Sequence, residues 1–218
     1  MADIASLGSR ALLVTDQSLP PAHLALWLDR LGLDGVREVV PAATSVTIIF
    51  ESPTRCSAAA HHLRPLLEDP VIDAVLSDPT AAEREIALHC CFDGPDLEAV
   101  AEISGLSAAE VITALTTANL RVEFCGFSPG FAYLAGLPSV LHLPRRARPR
   151  QRVDAGSLAI GSRYAAVYPT STPGGWHIVG STDAEIWRLD RTPPALLAPG
   201  VPVRLCDASA DRGFEPGG

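Results

Sequence analysis

Beyond residue 120 this chain is written in short apolar runs separated by glycine and proline, a texture that keeps long helices out of its second half. The runs Arg121 to Cys125, Ser157 to Ile160, Ala165 to Tyr168, Trp176 to Gly180 and Val201 to Leu205 alternate with Gly- and Pro-rich turns, as in a closed β-barrel or sandwich. The first half reads differently. Arg10 to Val14 has strand character. Pro20 to Leu31 places Leu24, Trp27, Leu28 and Leu31 on one helical face, Val36 to Val40 and Ser45 to Phe50 are β-rich, and Arg55 to Leu67 reads as a second helix. With the apolar run Glu85 to Phe92 the order becomes β-α-β-β-α-β, the split pattern of a ferredoxin-like βαββαβ layer, although that last run could equally open the barrel. Asp93-Gly94-Pro95-Asp96 marks a turn and a helix start before Leu97 to Ile103, and Ser107 with Glu110 forms a capping box at the head of Ser107 to Ala118. An α+β chain follows from this: residues 1–84 as a ferredoxin-like α/β N-terminal domain, 85–207 as a β-barrel domain, and 208–218 as a flexible tail.

Composition narrows the chemistry. The formal net charge is -8, and phosphate contacts need a basic footprint, so no nucleic-acid partner is expected. All 17 basic residues are arginine. A chain without lysine has no Walker-type phosphate loop, no Schiff base and no biotinylation site. Five cysteines, two of them adjacent at Cys90 and Cys91, suggest reduced buried thiols rather than a disulfide framework. No apolar run reaches membrane-spanning length and residues 1–10 lack a signal-peptide pattern, so a cytoplasmic chain with no membrane partner is expected.

The Gly126-Phe127-Ser128-Pro129-Gly130 run matches the G-x-S-x-G nucleophile elbow by letter only. The residue after the serine must give its backbone N–H to the oxyanion, and Pro129 has none. Six histidines show no zinc-like spacing, so no metal site is expected. His142 and His177 are the histidines best placed for proton transfer, with structural hydrogen bonding favoured over it. Arg145, Arg146, Arg148, Arg150 and Arg152 put five guanidinium groups into eight residues, and Pro144 and Pro149 hold the segment extended. Successive side chains then alternate between two faces, one free to bind a carboxylate or phosphate while the other pairs with acidic groups. Gly130-Phe131 and Gly174-Gly175-Trp176 each present an aromatic after a glycine hinge, which is how a small barrel builds a pocket mouth. The candidate pocket therefore takes Phe127, Pro129, Gly130, Phe131 and Tyr133 from one turn, Arg145 and Arg150 from the arginine segment, and Pro173, Gly174, Gly175, Trp176 and His177 from a third. No catalytic residue is assigned.

The runs FCGFSPGFAYLAGLP (124–138), LPRRARPRQRVDAGSLAI (143–160), YPTSTPGGWHIVGST (168–182) and PPALLAPGVPVRL (193–205) resemble the signature series of the KipI and allophanate hydrolase subunit 1 family. That family includes the B subunit of prokaryotic 5-oxoprolinase and a segment of urea carboxylase. The resemblance extends upstream through residues 93–111 and weakly to 8–14. It implies a cyclophilin-like β-barrel after the ferredoxin-like domain. It also implies a larger homologous partner (allophanate hydrolase subunit 2, or the C subunit of 5-oxoprolinase) and, in the oxoprolinase system, a third protein, its A subunit. The implied reaction is ATP-dependent opening of 5-oxoproline to glutamate, or hydrolysis of allophanate, with ATP used by the complex and the chain inactive alone. Two other roles have precedents in the family: a KipI-like histidine-kinase inhibitor acting through residues 1–84, and a carboxyltransferase-like module of a urea carboxylase system. The sequence departs from the pattern where members carry a His-Ser/Thr pair; Leu115-Thr116 stands there, with Asn119-Leu120 after it. Ala165-Ala166 replaces a usual Thr-Gly, and Asp154 a usual proline.

Overall fold

The computed structural model describes residues 2–15, 19–67 and 85–208. The chain divides into two compact units, Met1–Glu83 and Arg84–Gly218. Ten of the eleven residues read from sequence as a tail, 209–218, lie outside the described residues.

In the first unit β1 (Asp3–Ser6), β2 (Ala11–Thr15), β3 (Val36–Pro41) and β4 (Ser45–Phe50) form an antiparallel sheet in the order β1-β2-β4-β3, accompanied by α1 (Pro21–Leu31) and α2 (Pro53–Leu67). Alternation along β2 and β4 buries Leu12, Val14, Val46, Ile48 and Phe50, which pack with Leu24, Trp27 and Leu28 of α1 and Leu63 of α2. Leu31, expected on the buried face of α1, is instead 41% exposed: it is the last helical residue before Gly32, whose left-handed backbone ends the helix.

The described elements of this unit thus run β-β-α-β-β-α. The run Glu85 to Phe92, which the βαββαβ reading counts as its last strand, supplies β5 (Ile86–Cys90) to the sheet of the second unit, parallel to the C-terminal strand β13 (Pro202–Asp207). The place beside β2 is taken by β1. That strand is too short and polar to carry an alternating signal, and it is held by backbone pairing from Asp3 opposite Thr15 to Ser6 opposite Leu12.

In the second unit, α3 (Leu97–Ser104) and α4 (Ala108–Thr116) follow β5, and α4 begins with the capping box, Ser107 and Glu110 exchanging hydrogen bonds. The remaining strands are β6 (Leu120–Cys125), β7 (Ala132–Ala135), β8 (Arg150–Val153), β9 (Ser157–Gly161), β10 (Tyr164–Val167), β11 (Thr172–Gly174) and β12 (His177–Ser181). Seven strands form one sheet in the order β12-β9-β10-β7-β6-β13-β5, while β8 and β11 form a separate ribbon. The outer strands meet: Cys91, just past β5, exchanges two backbone hydrogen bonds of 2.8 Å with Ser181 of β12. The chain from Cys91 to Asp96 then runs on beside β12, Gly94 N–H to Val179 O at 3.3 Å and Asp96 N–H to Ile178 O at 2.9 Å. The sheet is a nearly closed barrel, with little open edge left to pair elsewhere.

Strands β7, β9 and β10 bury both faces, so their side chains sort by parity. Leu134, Leu158, Ile160, Ala165 and Val167 join the main core with Val100 and Val111 of α3 and α4. Tyr133, Ala159, Tyr164 and Ala166 turn to a second, aromatic cluster. A register shift between Val122 and Phe124 in β6 breaks the parity, so that Val122 lies in the main core and Phe124 packs with the aromatics. Leu115, at the first position of the family's His-Ser/Thr pair, and Leu120 after it are both buried in the main core.

Among the described residues no single helix is long and apolar enough to cross a membrane, and no three His, Cys, Asp or Glu side chains gather as a metal site.

Candidate functional site

All three tyrosines of the chain meet in the aromatic cluster of the barrel unit. Phe131 lies at its centre, edge-on to Phe127 (5.2 Å between centroids), Tyr133 (5.1 Å), Tyr168 (5.2 Å) and Trp176 (5.7 Å). Phe124 stacks on Tyr133 at 4.2 Å. Rings joined in this edge-to-face way hold one another at fixed tilt, so the group behaves as a rigid wall.

The wall borders a cleft of about 250 Å³ lined by Phe127, Phe131, Tyr133, Arg145, Pro149, Tyr168, Pro173, Gly174, Gly175 and Trp176. Three distant segments reach it for identifiable reasons. The Gly126–Phe131 turn closes with Gly126 N–H to Phe131 O at 3.1 Å, and Ser128 N–H reaches back to Gly126 O at 2.9 Å. Phe127 is thereby held in a three-residue turn with φ 72°, a conformation costly for a residue with a Cβ, and its ring is pushed out to 64% exposure at the mouth of the cleft. The arginine segment and the Gly174-Gly175 hinge are neighbours because β8 pairs with β11, and Arg146 N–H bonds to Gly175 O at 2.8 Å. Glycine is required at 174, where an added Cβ would collide with the Tyr168 hydroxyl.

Trp176 is seated on another glycine. A Cβ built on Gly161 would lie 2.7 Å from Cγ of the indole. Gly161→Ala is expected to tilt the Trp176 ring off β9, costing about 1–3 kcal/mol as overpacking does and changing the near-ultraviolet circular dichroism of the barrel. An unchanged spectrum and melting curve would show that the ring is not seated there.

Of the twelve residues expected at the pocket, eight line this cleft: Phe127, Phe131, Tyr133, Arg145, Pro173, Gly174, Gly175 and Trp176. The other four are placed elsewhere. Pro129 is exposed on the turn, and Gly130 (φ 79°) backs onto Trp187 and Pro169. His177 bonds through Nε2 to the Pro144 carbonyl at 3.0 Å, bracing β12 against the arginine segment; Nδ1 is buried without a hydrogen-bond partner. His142 likewise bonds through Nε2 to the Leu137 carbonyl at 3.0 Å. Arg150 turns away from the cleft to Asp96. Ser128 Oγ is buried with no hydrogen-bond partner, hence with no base to activate it.

The residue that organises the arginine segment is Asp96, 3% exposed, which the sequence reading takes only as part of a turn and helix start. Its carboxylate accepts two hydrogen bonds from Arg150 (2.7 and 2.9 Å), one from Arg146 and one from the Ile178 backbone N–H at 2.8 Å. Burial alone would raise its pKa. The hydrogen bonds from Arg150 and Ile178 and the charges of Arg150 and Arg146 outweigh burial and hold the carboxyl below its ordinary value.

With Arg146 and Arg150 bound to Asp96, and Arg152 paired on the surface with Asp154, Arg145 is the guanidinium of this segment that lines the cleft. Burial raises the pKa of both Tyr133 and Tyr168, and the Arg145 charge opposes the rise in each without cancelling it. Both phenols are therefore protonated at neutral pH. They can donate hydrogen bonds but cannot act as bases.

Comparison with known proteins gives the fold its relatives. Residues 3–197 match the family described as "Carboxyltransferase domain, subdomain C and D". The B subunit of 5-oxoprolinase from Escherichia coli O157:H7 is 37% identical over 195 residues, 85% of this chain and 88% of that protein. The B subunit of 5-oxoprolinase from Bacillus subtilis (strain 168) is 33% identical over 191 residues, 83% of this chain and 79% of that one. Among solved structures, the crystal structure of TTHA0988 is 30% identical with a TM-score of 0.75; the match covers 91% of this chain and 40% of that longer one. The chain thus belongs to the carboxyltransferase subdomain C and D family, within the KipI and allophanate hydrolase subunit 1 group that contains these 5-oxoprolinase B subunits.

Proposed function

We propose that this chain is the smaller subunit of a heteromeric hydrolase of the 5-oxoprolinase type, opening 5-oxoproline to glutamate, with a larger homologous barrel protein and a third polypeptide as partners. The observation that carries the reading is the chemical incompleteness of the cleft. Its lining residues offer aromatic walls, one cation and two protonated phenols, but no carboxylate, histidine or thiol able to move a proton at neutral pH. Hydrolysis of an amide needs such a group, so the missing part comes from another polypeptide. Consistent with this, the matched fold occupies 40% of the TTHA0988 chain, where further sequence accompanies it.

In the proposed complex the N-terminal unit is a ferredoxin-like layer whose outer position is filled by β1, and the second unit is a cyclophilin-like barrel. The nucleotide is assigned to a partner. A cleft of about 250 Å³ with one lining guanidinium does not match a triphosphate, and the chain has no lysine. This chain would hold and orient the substrate ring and keep water from its apolar faces.

Co-expression with the products of the adjoining genes should give a stable complex that converts 5-oxoproline to glutamate with ATP, while the chain alone shows no turnover. An intact, purified complex that neither binds nor hydrolyses 5-oxoproline or allophanate would remove the proposal.

A further inference from the structure

We infer that Arg145 is the anchor for a substrate carboxylate, and that the cleft selects small, planar, singly charged carboxylic acids by seating their uncharged part against the aromatic wall of Tyr133, Tyr168 and Trp176. The inference rests on the reading of this cleft as the substrate pocket and adds the class of ligand it takes.

Most arginines of the segment are already committed. Arg146 and Arg150 bind one buried carboxylate, and Arg152 binds Asp154. Arg145 lines the cleft, and among the described residues it enters no ion pair, although its charge is felt at both tyrosines beside it. A guanidinium beside apolar rings is more weakly hydrated than an ammonium and presents a planar fork, so the anion that suits it is planar and two-oxygened. No second cation lines the cleft, which matches one negative charge and disfavours a phosphate dianion. The remaining lining is aromatic, proline and glycine, suited to a flat, largely apolar body. The volume of about 250 Å³ lies below the range of roughly 300–1,000 Å³ that holds drug-sized ligands, so the occupant is small. Asp96 enters as a positioning residue: by fixing Arg146, the next residue, and Arg150 further along, it sets the path of the backbone that follows Arg145.

The test is calorimetric titration of the full chain, alone and in its complex, with 5-oxoproline, its uncharged carboxamide, 2-pyrrolidinone, proline, benzoate and inorganic phosphate. The expected order places 5-oxoproline about ten- to a hundredfold above its carboxamide. Arg145→Gln should erase that difference while leaving the carboxamide unaffected. Arg145→Lys should restore part of it, and Arg148→Gln, at an exposed position outside the cleft, should change nothing. Arg145 is itself exposed, so the fold is expected to survive the substitution. If Arg145-dependent binding of benzoate or proline appears without 5-oxoproline binding, the anchor stands and the oxoprolinase reading falls. If 5-oxoproline and its carboxamide bind equally, or Arg145→Gln keeps the preference, the anchor falls while the oxoprolinase reading survives. Phosphate binding tighter than every carboxylate, or no binding by any member of the panel, overturns the inference.

Discussion

Asp96→Ala is expected to lower the unfolding free energy of the barrel unit by about 3 kcal/mol, at the low end of the cost of removing one partner from a buried ion pair. The low end applies because the two guanidinium groups left behind are 31% and 25% exposed and recover part of their hydration, whereas Asp96 itself is 4% exposed at the side chain. The Ile178 N–H would also lose its acceptor within the barrel seam. Asp154→Ala is the control: its pairing with Arg152 is formed between side chains 76% and 73% exposed, and such a pair contributes within about 1 kcal/mol. Urea unfolding followed by Trp fluorescence measures both, and equal effects at the two positions would show that Asp96 does not hold the arginine segment.

The same clamp sets an acid limit. The folded-state pKa of Asp96 is depressed, so its contribution is fully present above the unfolded-state value of about 3.9 and is lost as pH falls through the lower folded-state value. Asp96→Asn, which cannot titrate, should flatten that part of the stability–pH curve and leave the region above pH about 5 parallel to the parent.

The sequence exposes some of this site and hides the rest for physical reasons. Phe131, Trp176 and Arg145 are legible because glycine hinges and a proline-stiffened arginine run are local signals. The pairing of Asp96 with residues 50 and 54 positions away is not. An aspartate before a helix reads as an N-cap, yet Asp96 makes no side-chain cap bond to α3. Two guanidinium groups and an amide outcompete the cap, since hydrogen bonds between charged groups are roughly twice as strong as neutral ones. The available clue is five arginines in an acidic chain, which call for a buried counterion without saying which. Tyr168 escapes a sequence reading as a wall because it lies just past β10, where its backbone bond to Ser157 of β9, and not its neighbours in sequence, sets the face its ring presents. Alternation along β2 and β4 and spacing along α1 make those core elements legible, since they are what burial requires, whereas β7, central in the barrel sheet, is not among the runs read as strands. β1 is invisible because backbone pairing leaves no trace in side-chain pattern.

Gly94→Ala tests the closure of the barrel and is expected to be at least as damaging as loss of Asp96, at about 3 kcal/mol. A Cβ on Gly94 would run into the Val179 carbonyl carbon, the Gly180 nitrogen and the Ile178 carbonyl oxygen, all of them backbone atoms of β12. Backbone in a hydrogen-bonded strand has no flexible end to swing aside, so the methyl must push the Cys91–Asp96 segment away from β12. The bonds at risk are the Gly94 and Asp96 N–H groups to Val179 and Ile178 and the paired Cys91–Ser181 bridge. Gly180 reinforces the point from the other side, since a Cβ there would meet the Cys91 carbonyl oxygen. Gly126→Ala is the comparison, because nothing lies within 4 Å of its added methyl and it should shift stability by less than about 1 kcal/mol. Hydrogen exchange supplies the site-specific readout: in Gly94→Ala the amides of Cys91 and Ser181 should lose protection while those of β2 and β4 in the first unit keep theirs. Protection at Cys91 and Ser181 equal to that of the parent would show that the barrel is not closed along this line, and the rigid placement of Asp96, the arginine segment and the cleft would then need another cause.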